Sequence, residues 1–201
     1  MYGAPPSIIA EIYTEVPEAL RIRGRSSEWL YGRGGAAPHS FLEGPSFDRE
    51  GNLWLTDIVF GRIFLVNPAG AWTVVAEYDG EPNGLAFHRE GWAAITDAKR
   101  GLLRLNPQTG EVSSLLPRAR REGFRGVNDC TFSKTGDLFF TDQGQTGLQD
   151  PAGRVYRLRA GAQQADALVS NVPSPNGLVL TEDGHTLYVA ATRDNAIWRV
   201  P

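Results

Sequence analysis

The sequence predicts an all-β fold, a β-propeller of about four blades, each a four-stranded antiparallel sheet. A ladder of residues recurs four times, starting at Glu43, Asn83, Asn128 and Asn176. Each start leads through a short apolar stretch to a turn glycine (Gly51, Gly91, Gly136, Gly184) and then into a second apolar stretch. Successive starts lie 40, 45 and 48 residues apart, close to the repeat of a propeller blade. No sustained helical period competes with this pattern, apart from a short turn expected near Pro17–Arg25.

The first unit opens EGPSFDREGNLWLTD, the second NGLAFHREGWAAITD, the third NDCTFSKTGDLFFTD and the fourth NGLVLTEDGHTLYVAAT. In each, the glycine supplies the positive φ of a tight hairpin turn. The second stretches are rich in aromatic and aliphatic residues, as strands are. A third strand follows in every unit: GRIFLVNP at 61–68, GLLRLNPQTG at 101–110, GRVYRLRAG at 153–161 and NAIWRVP at 195–201. The N-P-x-G and N-P-Q-T-G pieces read as turns into a fourth strand, WTVVAEY at 72–78 and EVSSLL at 111–116. The longest insert, QGQTGLQDPAG at 143–153, reads as a loop between strands. The whole chain is one domain, with residues 1–40 as an N-terminal lead carrying a ring-closing strand at 7–16, and residues 41–201 as the four repeat units.

Corresponding positions of every blade face the same place, so the four starting donors are expected to converge on the propeller axis. The Thr-Asp pairs ending at Asp57, Asp97 and Asp142 are expected to be structural, with the acids hydrogen-bonded to loop backbone. A carboxylate with several amide carbonyls is a hard-oxygen set that suits Ca²⁺, Mg²⁺ or Mn²⁺. A divalent ion there could polarise a carbonyl and acidify a water, which is the physics of ester or lactone hydrolysis. His39, His88 and His185 share no metal-ligand spacing, and the latter two are expected at the surface beside hairpin turns. Cys130 is expected as a small core residue. No G-x-S-x-G elbow and no phosphate-binding glycine loop is present.

Bulk properties bound the rest. Apolar residues make up 41% and charged residues 21%, which places the chain among soluble globular proteins. The net charge of −3 gives no footprint for nucleic acid or an anionic membrane. The basic run Arg118–Arg121 reads as a solvated loop. One cysteine, no recognisable signal peptide and no membrane-length apolar run lead to the expectation of a cytoplasmic protein without membrane or nucleic-acid partners.

The segments FLEGPSFDREGNLWLTDI, DGEPNGLAFHREG, GVNDCTFSKTGDLFFTDQG, GRVYRLRAG and VPSPNGLVLTEDGHTLYVA, in this order from about residue 41 onward, resemble the senescence-marker-protein/gluconolactonase/luciferin-regenerating-enzyme family of six-bladed propellers. The resemblance implies one divalent metal on the axis, calcium first, with magnesium, manganese or zinc as alternatives. It implies metal ligation by Glu43, Asn176 and Asn128. Asn128 also takes a substrate-binding role, and Asn83 joins it as a lining residue by register alone. It implies a metal-dependent hydrolase of a small, sugar-acid type lactone.

Two departures from the family stand out. The family's ligand and base aspartate falls on Ala191 here, which leaves Asp194 and Asp129 as the candidate catalytic acids. Six blades of about 45 residues exceed this chain, so it is expected to be a C-terminally truncated part of a longer propeller. The missing acid leaves open a propeller that binds metal or a small ligand without hydrolysis. A protein-interaction propeller is the other alternative.

Overall fold

The structure, a computed structural model, describes residues 6–31 and 33–201. Residues 1–5 of the lead, and Gly32, lie outside the described residues. Four antiparallel sheets follow one another in sequence order. The first contains β1 (Leu42–Phe47), β2 (Leu53–Asp57), β3 (Arg62–Val66) and β4 (Trp72–Glu77). The second contains β5 (Pro82–Phe87), β6 (Ala93–Asp97), β7 (Gly101–Leu105) and β8 (Val112–Leu116). A two-stranded ribbon, β9 (Arg118–Ala119) and β10 (Glu122–Gly123), leads into the third sheet. That sheet contains β11 (Val127–Phe132), β12 (Leu138–Asp142), β13 (Gly153–Leu158) and β14 (Asp166–Val172). The fourth has three strands, β15 (Pro175–Leu180), β16 (Leu187–Ala191) and β17 (Ala196–Val200). These are the four blades of the propeller, and the strand order within each is the order of the sequence.

Apolar layers between neighbouring blades hold the arc together. Trp54 and Ile63 of the first blade pack against Leu85, Ile95 and Leu103 of the second. Ala94 and Leu102 meet Cys130, Phe140 and Tyr156 across the next junction. Phe139 and Val155 meet Leu187 and Val189 across the last. The second strands β2, β6 and β12 are buried along nearly their whole length, whereas the outer strands β4, β8 and β14 keep an exposed face. That explains why β2, β6 and β12 read as apolar runs rather than strict alternations.

Three expectations change. The strand expected at 7–16 does not form among residues 6–16, which are irregular, with Ile8 94% and Ile9 93% exposed. A strand requires an edge to pair with, and the segment touches the first blade only near its end, where the Trp72 indole donates to Thr14 Oγ1 at 3.0 Å. The turn near Pro17 is a single 3-10 turn, Glu18–Leu20. The basic run is partly ordered as the β9–β10 ribbon, although Arg120 and Arg121 are exposed as expected. His88 is buried rather than at the surface. Its ring stacks on Trp92 at 4.6 Å and meets Phe132 edge-on at 5.0 Å, and burial holds its pKa below the usual imidazole value.

Candidate active site on the propeller axis

The innermost strand of every blade breaks register at the same place. Pairing with the second strand is interrupted between Glu43 and Ser46, between Pro82 and Leu85, between Val127 and Cys130, and between Pro175 and Leu178. A bulge re-aims side chains and frees backbone groups from the ladder. The freed carbonyls find partners in the neighbouring blade. Thr56 Oγ1 donates to the Asn83 carbonyl at 2.6 Å, Thr96 Oγ1 to the Asn128 carbonyl at 2.5 Å, and Thr141 Oγ1 to the Asn176 carbonyl at 2.8 Å. The threonine of each Thr-Asp pair therefore ties its blade to the axial residue of the next.

The bulged segments open onto one cavity of about 490 Å³. Glu43, Asn83, Asn128, Asp129 and Asn176 all line it, together with Cys130. Asp129 takes a place that is glycine in the other three units, after Glu43 (Gly44), Asn83 (Gly84) and Asn176 (Gly177). Its carboxylate lies between the flanking blades. A Cβ on Gly84 would sit 2.7 Å from Asp129 Oδ1, and one on Gly177 would sit 3.6 Å from Oδ2. Asp129 Oδ1 accepts the Cys130 N–H at 2.8 Å. Burial raises the Asp129 carboxyl above its ordinary pKa, against the Cys130 and Leu178 N–H groups that lower it. Burial, and then the charge of Asp129, raises Glu43 in the same direction. Two carboxylates that disfavour each other's charge in one cavity form a site prepared for a cation or a proton.

Asp194 and Ala191 do not belong to this cavity. Asp194 sits in the 3-10 turn Thr192–Asp194, where Oδ2 accepts the Trp198 indole N–H at 2.7 Å. Ala191 pairs with Pro175, as Asp57 pairs with Leu42, Asp97 with Pro82 and Asp142 with Val127. It is the fourth-blade counterpart of the strand-end acids, not of an axial one. Those acids are structural as expected. Asp57 accepts the Phe41 N–H at 2.8 Å and Arg62 at 2.7 Å, and Asp142 accepts the Arg125 N–H at 2.6 Å and Arg154 at 2.7 Å. The threonines beside them were not expected to matter to the axis. Their signal in the sequence was the constant Thr-Asp pair one strand away from each donor.

Among the described residues no cluster of three or more His, Cys, Asp or Glu side chains is arranged to hold a metal. The axial set is instead two carboxylates with three side-chain amides, all hard-oxygen donors, and it fits a calcium- or magnesium-type ion by ligand chemistry. A second cavity of about 560 Å³ lies under lead residues 25–31 and contains none of these donors.

Comparison with known proteins agrees with the fold and with the order of the repeat. The family model described as SMP-30/Gluconolactonase/LRE-like region matches residues 41–201. Lactonase drp35 of Staphylococcus epidermidis is 28% identical over 166 residues, covering 79% of this chain and 50% of that protein. The Staphylococcus aureus protein of the same name is 27% identical over 167 residues, with the same coverage. The chain thus spans about half the length of the curated relatives it matches. Among solved structures, a gluconolactonase from Xanthomonas campestris superposes with a TM-score of 0.71 at 24% identity, covering 80% of this chain and 58% of that one. The calcium-binding protein regucalcin from Agrobacterium tumefaciens superposes with a TM-score of 0.67 at 24% identity, covering 80% and 54%. At these identities the structures speak to the fold, and the match over 41–201 speaks to descent. The chain belongs to the SMP-30/gluconolactonase/LRE-like family.

Proposed function

We propose that the axial site serves the metal-dependent hydrolysis of a small lactone of the sugar-acid type. The observation that carries this reading is the opening of Glu43, Asn83, Asn128, Asp129 and Asn176, from four separate strands, onto one cavity. Relatives named lactonase and gluconolactonase point the same way. Glu43, Asn128 and Asn176 would hold a divalent ion, calcium being the best match to the donor set. Such an ion, when bound, polarises the lactone carbonyl and lowers the pKa of a water.

The chain's own residues do the rest. The Asn83 and Asn128 amides hydrogen-bond the substrate's oxygens and fix the ring over the carboxylates. Asp129, the acid that faces the cavity from between two blades, takes a proton from the attacking water. The water oxygen bonds to the carbonyl carbon and the ring C–O bond breaks. The proton passes to the departing alkoxide, giving the hydroxy acid. Asp194 has no part in this scheme, because it is held by Trp198 outside the cavity.

The test is hydrolysis of a lactone panel with and without added calcium, on the wild type and on Glu43→Gln. Turnover that disappears on chelation and in the variant supports the hydrolase. Calcium binding without turnover would replace it with a ligand-binding propeller. Behaviour indifferent to Glu43 would leave an interaction propeller.

A further inference from the structure

We infer that Thr56, Thr96 and Thr141 are positioning residues for the axial site, each setting the donor of the following blade through that donor's own backbone carbonyl. The roles of the donors rest on the reading above; the threonine geometry stands without it. All three threonines are fully buried (0% exposed). Their hydroxyls end on the carbonyls of Asn83, Asn128 and Asn176, which are the residues whose side chains line the cavity.

The bulge explains why such a partner is needed. The ladder passes from Pro82↔Asp97 directly to Leu85↔Ile95, and likewise from Val127↔Asp142 to Cys130↔Phe140, so the residues between are skipped. A skipped carbonyl that is buried costs free energy unless another donor reaches it. A hydroxyl has one proton to donate and lone pairs left to accept, and two of these threonines use both. Thr96 Oγ1 accepts the Gly84 N–H at 2.8 Å while donating to Asn128. Thr141 Oγ1 accepts the Asp129 N–H at 3.1 Å while donating to Asn176. One hydroxyl therefore fixes the backbone of both Asp129 and Asn176, two axial residues on adjacent blades. The backbone at a bulge decides where its side chain points, so Thr141 sets the separation of a carboxylate and an amide that share the cavity. Thr56 makes the single bond to Asn83.

The experiment compares Thr141→Val, which keeps the shape and removes the hydroxyl, with Thr141→Ser, which keeps the hydroxyl. Calcium affinity is measured by calorimetry, lactone KM and kcat by continuous assay, and the unfolding midpoint by circular dichroism. Thr141→Val is expected to weaken calcium binding about 10–100-fold, the range found for groups that orient metal ligands, while Thr141→Ser stays within about threefold. Thr56→Val is expected to raise KM with calcium affinity unchanged, because it acts on Asn83 alone. A Thr141→Val protein that melts lower but binds calcium and turns over lactone as the wild type does would show a merely structural threonine and overturn the inference. So would Thr141→Ser behaving like Thr141→Val. If the wild type neither binds calcium nor hydrolyses lactones, the hydrolase reading falls and the inference is judged on the metal-free protein. There the Asn176 side-chain amide resonances should shift in Thr141→Val and return in Thr141→Ser, and an unshifted amide overturns it. If Thr141→Val does not fold, Thr56→Val and Thr56→Ser carry the same comparison on the Asn83 amide.

Discussion

Gly84→Ala should damage the molecule and Gly177→Ala should not, although the two glycines occupy the same place in the repeat. A Cβ on Gly84 would lie 2.7 Å from Asp129 Cα, 2.7 Å from Asp129 Oδ1 and 2.9 Å from the Asn128 carbonyl oxygen. Two of these three atoms are backbone, so no change of rotamer relieves the overlap, and β5 and β11 must move apart. Overpacking of this kind costs about 1–3 kcal/mol. Alanine recovers about 0.4–1 kcal/mol of it by restricting the unfolded chain. At about 2–4 °C per kcal/mol for a chain of this size, the net loss lowers the midpoint by up to about 10 °C. A Cβ on Gly177 meets Asp129 Oδ2 at 3.6 Å, an ordinary contact, and its φ is not positive. That variant should match the wild type or exceed it slightly. Thermal unfolding of the three proteins in one buffer by circular dichroism decides the matter. Equal midpoints for Gly84→Ala and the wild type, or an equal fall in both variants, would refute the close approach of β5 to Asp129.

Other perturbations separate clamp from site. Arg62→Met leaves the fully buried Asp57 carboxylate with the Phe41 N–H as its remaining side-chain hydrogen bond, and a broken buried pair costs about 3–5 kcal/mol in denaturant unfolding. Lys134→Met, which removes an exposed pair with Glu182, should cost less than about 1 kcal/mol. Asp194→Asn should leave lactone turnover unchanged, and an activity loss beyond about twofold would return Asp194 to the mechanism. For pH dependence, burial raises Asp97 above its ordinary pKa. An acid raised on folding is destabilising at neutral pH, and that penalty is relieved as pH falls through its folded value toward the unfolded value of about 3.9. Asp97→Asn should therefore be at least as stable as the wild type at pH 7 and lose ground to it as pH is lowered from 7 toward about 4. A constant difference across that window would contradict the assignment.

The sequence carried the blades because their signals are local. A turn glycine, a polar donor and an apolar run at fixed spacing are enough to mark Glu43, Asn83, Asn128 and Asn176 as axial, and all four line the cavity. The segment 7–16 misled because β-propensity says nothing about whether an edge is available. Position 191 misled because the resemblance gave it the role of an axial acid, whereas its pairing with Pro175 puts it in the register of the strand-end acids. Asp129 was visible as the departure from glycine in the third unit, but its aim between two blades depends on neighbours 45 and 48 residues away that both lack a side chain. The threonine bonds were not visible, since nothing local to a Thr-Asp pair shows which carbonyl of the next blade its hydroxyl will meet.

The strand-end acids show what the alanine at 191 replaces. In the first and third blades this position pairs across to an arginine, Asp57 with Arg62 and Asp142 with Arg154. In the fourth blade both partners are gone together, Ala191 facing Ala196. In the second, the acid remains but its partner is Gly101, whose φ of 82° and whose approach to Leu116 leave no room for an arginine. That half-kept pair is the one without an arginine to close it: the buried Asp97 Oδ2 and the buried Tyr78 hydroxyl lie near each other without a well-formed hydrogen bond, and the Tyr78 pKa is raised by its own burial and then by the charge of Asp97. A carboxylate at this register belongs with the strand ends, and its presence follows that of its arginine in three blades of four. Losing Asp and Arg as a unit removes a clamp at little electrostatic cost, whereas losing one partner leaves a buried charge. Among the described residues, the carboxylates that line the axial cavity are Glu43 and Asp129, both on bulged inner strands.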